Sequence, residues 1–73
     1  MIKCHLSRIM GEKKLRVADI ARSIGVHRNA ITLLYEETAT RVELDTINKL
    51  CTFLNCNVQD IFEYIEDETH NVI

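Results

Sequence analysis

The sequence predicts an all-α fold, a single compact domain of five short helices. Three observations lead to it. The chain has 73 residues, enough for one small domain and not two. Its apolar residues recur three and four apart in five successive segments, the spacing of helices with one buried face. It has no long alternating run and no Asn-Gly or Asp-Gly hairpin signal, so strand is poorly supported.

Each element follows from its own stripe. Ile2, Leu6, Ile9 and Met10 predict a first helix that Lys13-Lys14 ends. Val17, Ile20, Ala21 and Ile24 predict a second, stopped by Gly25, which tolerates positive φ. Ala30, Ile31, Leu34 and Tyr35 predict a third, so soon after Gly25 that the two helices must cross steeply. Glu36 to Val42 has no periodicity and reads as a loop. Leu44, Ile47, Leu50, Cys51 and Leu54 give a fourth helix ending at Asn55. Asn57 with Asp60 resembles a capping box before a fifth, lined by Val58, Ile61, Phe62 and Ile65. The expected domain covers residues 1–65, followed by a polar tail over 66–73.

Composition narrows the function. Apolar residues make up 47% and charged ones 27%, an ordinary globular balance. A chain this short buries only ~60% of the surface it exposes when unfolded, which favours a binding module over an enzyme with a deep pocket. The net charge of −2 excludes a strongly basic, nucleic-acid-coating protein. That charge is unevenly placed. Residues 1–41 carry eight Lys/Arg against four Asp/Glu, and residues 42–73 carry one lysine against seven acids. The first half can face an anionic partner while the second stays clear of it.

Cys4, Cys51 and Cys56 are odd in number and lack C-x-x-C spacing, which argues for free thiols in a reducing, cytoplasmic setting. His5, Ser7 and Arg8 interrupt any secretory signal, and no apolar run approaches the ~20 residues that span a bilayer. A soluble, cytoplasmic protein is expected. The cysteines and histidines show no metal-ligand spacing and no orienting third group for a nucleophile, so no metal, cofactor or catalytic residue is expected.

The informative segment is Val17 to Glu36, VADIARSIGVHRNAITLLYE. Ala21 is small where a second helix would cross the first. Gly25 suits the turn, and Ile31 is apolar where the second helix would face the first. Ile20, Ile24, Val26 and Leu34 complete the buried set. With these residues on a five-helix background, Leu6 to Tyr64 resembles the lambda-repressor-like family, the phage Cro/C1-type or XRE-like helix-turn-helix regulators. The stretch LDTINKLCTFLNCNVQDIFEY is similar to that family's fourth and fifth helices. The resemblance implies double-stranded DNA as partner, with the third helix in the major groove.

The side chains support that chemistry independently. With Ile31 and Leu34 inward, Arg28, Asn29, Thr32 and Leu33 lie on or near the other side. Arg28 can donate a forked pair to guanine, Asn29 can pair with adenine, and Leu33 suits a thymine methyl. Thr32 could bond to a base or a phosphate. Arg16 and Arg41 are the candidate phosphate contacts, with His27 and Lys14 as further ones and Lys13 and Arg8 weaker. Arg22 can instead pair with Asp19 one turn away.

The sequence also departs from the family pattern. Arg16-Val17 stands where Thr-Gln is frequent, and His27 where Ser or Thr usually caps the recognition helix. Glu36-Glu37 replaces the usual Asn-Gly beside the DNA backbone, where two acids would repel phosphate. A domain with so few phosphate contacts should bind weakly unless it dimerises over two half-sites ~34 Å apart. Phe62, Tyr64, Ile65, Val72 and Ile73 are the candidate homodimer contacts. The expected function is a sequence-specific transcriptional repressor. The alternative is a protein-interaction module, antitoxin- or antirepressor-like, on the same fold.

Overall fold

The computed structural model describes residues 1–66. In chain order its elements are β1 (Ile2–Cys4), α1 (Leu6–Lys13), α2 (Val17–Ile24), α3 (Arg28–Tyr35), α4 (Leu44–Leu54), α5 (Val58–Ile61) and β2 (Phe62–Tyr64). Five helices are present among the described residues, as the periodicity predicts. A two-stranded antiparallel sheet is added to them, pairing Ile2 with Tyr64, Lys3 with Glu63 and Cys4 with Phe62.

The sheet moves three residues out of their expected helices. Ile2 sits in β1, three residues before the His5 cap of α1, and α5 is a single turn that ends before Phe62. Ile65 lies past β2. The reason is non-local. Ile2 and Leu6 are four apart and fit a helical stripe, yet the strand that recruits Ile2 is Phe62-Glu63-Tyr64, some sixty residues away. Two aromatic residues in three give that strand good β propensity once a partner is available. Tail positions Val72 and Ile73 lie outside the described residues.

The core is assembled from every helix. Leu6 and Met10 of α1, Ile20 of α2, Ile31 of α3, Leu50 and Leu54 of α4 and Ile61 of α5 are fully buried. Burying each such side chain contributes roughly 1.5–3 kcal/mol. Ala21, beneath α3, is also buried and leaves room for the crossing of α2 and α3. Ala30 and Tyr35 of the third stripe are exposed instead, so α3 turns only Ile31 and Leu34 into the core.

The first four helices stop in the same way. In each, an N–H bonds back to a carbonyl five residues earlier, across one residue in the left-handed region. The bonds run from Leu15 to Met10 (2.8 Å), Val26 to Ala21 (3.1 Å), Thr38 to Leu33 (2.9 Å) and Cys56 to Cys51 (3.1 Å). The left-handed residues are Lys14, Gly25, Glu37 and Asn55. This is the Schellman stop, which satisfies carbonyls the helix leaves free. Only at Gly25 is the residue free of the side-chain penalty of that conformation.

Candidate nucleic-acid interface

The second and third helices are positioned by their starts and by the turn between them. At the start of α2, Asp19 Oδ2 accepts from the Arg16 N–H at 3.0 Å. Its other oxygen accepts from the Arg22 guanidinium at 3.2 Å, so Arg22 forms the expected pair within the helix. Arg16 itself is an exposed N-cap, and its guanidinium cannot accept the bond that a Thr would. Gly25, at φ 72°, then turns the chain so that α3 crosses over Ala21.

His27 caps α3. Its Nδ1 accepts from the Asn29 N–H at 3.1 Å, the role a Ser or Thr oxygen would fill. That requires Nδ1 unprotonated, with the ring proton on Nε2. Engaged in this way, His27 is a cap rather than a free surface residue.

Arg28 and Asn29 follow on the exposed first turn of α3, and neither side chain is taken up by a hydrogen bond among the described residues. Thr32 is half-buried and spends its hydroxyl proton on the Arg28 carbonyl at 3.1 Å, leaving oxygen lone pairs only. Leu33 is 37% exposed. It also lines a cleft of about 370 Å³ with Ala30, Leu34 and the Thr38–Glu43 segment, so part of it packs against the loop. Ala30, which the spacing assigned to the buried stripe of the third helix, is instead exposed between these residues and lets another surface approach closely.

The candidate phosphate contacts are all on the surface. Arg16 begins α2, Lys14 holds the left-handed end of α1, and Arg41 rims the cleft in the loop after α3. All three are exposed.

The two acids divide. Glu36 caps the C-terminus of α3 and is exposed. Glu37 lines a small pocket of about 80 Å³ with Ile2, Cys4 and Phe62, on the side of the sheet. The Cys4 thiol reports the same placement. Burial pushes its pKa up, a hydrogen bond from the Leu6 backbone opposes this, and the Glu37 charge adds to the rise. Both acids are exposed, so they differ in their neighbours and not in their access to solvent.

The candidate dimer residues are not brought together as a set. Phe62 is half-buried and packs against the core, while Tyr64 and Ile65 are exposed. Ile2 and Tyr64 face each other across the sheet, each 65% exposed, with Met1 beside them. Ile2 and Met1 could not be picked out before the pairing of β1 with β2 was known. No group of three or more potential metal ligands occurs among the described residues, and no described helix is long and apolar enough to cross a membrane.

Residues 5–67 match the sequence pattern of the Cro/C1-type HTH DNA-binding domain family. The chain belongs to that family. Its helix-turn-helix is therefore a DNA-binding unit, and the family is not one of enzymes. It is similar to YozG of Bacillus subtilis (strain 168), described as an uncharacterised HTH-type transcriptional regulator. The two are 27% identical over 64 residues, covering 88% of this chain and 76% of that protein.

Proposed function

We propose that this Cro/C1-type protein is a sequence-specific transcriptional repressor that binds operator DNA as a homodimer. The observation that carries the reading is the first turn of α3. A capping His27 fixes the turn, and Arg28 and Asn29 project from it uncommitted. One offers a forked donor for guanine, the other a paired donor and acceptor for adenine. Similarity to a protein described as a transcriptional regulator supports the regulatory part.

Dimerisation is supported by the overhanging end of the sheet. Cys4 and Phe62 lie on the core, but the same face continues outward to Ile2 and Tyr64, where nothing described covers it. A two-stranded sheet also leaves one backbone edge open on each strand. A second copy would cover the apolar overhang and place two recognition helices on one duplex.

Selection of bound sequences from random DNA at two salt concentrations tests the reading. A palindromic consensus supports it. Failure to enrich any sequence moves the function to a protein-interaction module, with the same overhang as its contact surface.

A further inference from the structure

Two of the three cysteines form a pair outside the interface. Cys51 lies in the last turns of α4 and Cys56 just beyond its end, both half-buried. Between them Asn55 takes φ 55°, and the Cys56 N–H donates to the Cys51 carbonyl at 3.1 Å. In a Schellman stop the two residues joined by this bond bring their side chains into contact. At the other three stops those positions hold Met10 with Leu15, Ala21 with Val26, and Leu33 with Thr38. Here they hold two thiols.

The two thiols are near enough to affect one another's ionisation. Burial pushes the Cys56 thiol above its ordinary pKa, and the neighbouring Cys51 adds to this. Asp60 adds further, while Lys13 opposes. Disulfides bridge Cα atoms roughly 4.4–6.8 Å apart, and bond lengths let one main-chain N–H···O bond of 3.1 Å separate two Cα atoms by no more than about 7 Å.

We propose that Cys51 and Cys56 are a modification site, a dithiol that a small-molecule disulfide such as oxidised glutathione converts into an intrachain disulfide. One thiol loses its proton and attacks a glutathione sulfur, forming a mixed disulfide and releasing one glutathione thiolate. The second thiolate then attacks the protein sulfur, closing the Cys51–Cys56 bond and releasing the other glutathione. The protein gives up two electrons and two protons, and the oxidant leaves as two thiols. Cys4 has no part in this, because it is buried in β1 as part of the hydrophobic core.

Tryptic mapping reads the outcome directly. Cleavage after Lys3, Arg8 and Lys49 leaves Cys4 in peptide 4–8 and both other cysteines in peptide 50–73. The folded full chain is treated with oxidised glutathione at mildly alkaline pH, then denatured, alkylated and digested. Peptide 50–73 should lack two hydrogens and take no alkyl group, while peptide 4–8 takes one. In Cys51→Ser and Cys56→Ser the remaining thiol should keep its glutathione, since nothing displaces it. Two alkyl groups on peptide 50–73, glutathione retained on both cysteines, or a cross-link to peptide 4–8 would each overturn the proposal. The parent chain alone gives these outcomes, so they stand even if a variant fails to fold.

Discussion

The Nδ1 of His27 accepts the Asn29 N–H at 3.1 Å, so the cap of α3 also fixes the backbone of a candidate base-reading residue. Replacing His27 by Ala removes the acceptor and should cost about 1 kcal/mol of stability, with Ser restoring most of it. Urea unfolding of the three proteins checks this. Equal midpoints for His27 and Ala would show that the bond contributes nothing.

Glu37 holds the left-handed end of α3 at φ 59° without the freedom of glycine. Glu37→Gly should therefore stabilise the fold by about 1 kcal/mol, because a residue with Cβ is strained there by roughly 1–2 kcal/mol and glycine offsets this with chain entropy. It also removes an acid from the negative end of a helix. Thermal unfolding should show a raised midpoint. A lowered one would mean that the Glu37 side chain makes a contact worth more than the strain.

Arg28→Ala should weaken binding to the cognate operator by ~1–3 kcal/mol and relax preference at one base pair. Binding to an operator series substituted at each position measures both effects. The same loss on every sequence would assign Arg28 to the phosphates instead.

Arg41→Ala should act differently. It rims the loop cleft rather than the outward face of α3. Its loss should weaken binding evenly across sequences and reduce the slope of log affinity against log salt by about one. A change in sequence preference would contradict this.

Charge introduced on the overhanging sheet should separate the proposed dimer. Tyr64→Glu is the cleaner test, because Tyr64 is exposed while Phe62 also packs against the core. Analytical ultracentrifugation should show the parent chain as a dimer and the variant as a folded monomer. A monomeric parent would remove the dimer from the reading.

Most of the helical architecture could be read from spacing, because helix formation and burial are local. Ile20, Ala21, Gly25, Ile31 and Leu34 occupy the places their types predict. The sheet could not be read that way, since Ile2 has a helical neighbour in Leu6 and a strand partner only in Tyr64. Gly25 announces a helix stop, whereas Lys14 and Glu37 end theirs in the same backbone state with residues that give no such signal. At the candidate interface, side-chain type identified Arg28 and Asn29. It did not reveal that Thr32 returns its proton to its own helix, or that Glu37 shares a small pocket with Cys4.

Pairing β1 with β2 also orders events in time. The Met1 amino group donates to the Ile65 carbonyl and the Ile65 N–H returns a bond to the Met1 carbonyl, closing almost the whole described chain into one loop. Contacts so distant in sequence form slowly compared with helices. On the ribosome, β1 must wait unpaired until Phe62–Tyr64 has emerged, with its apolar residues open to chaperones in the meantime. A surface built from both strands exists only on a finished domain, so unfinished chains cannot poison an assembly made through it.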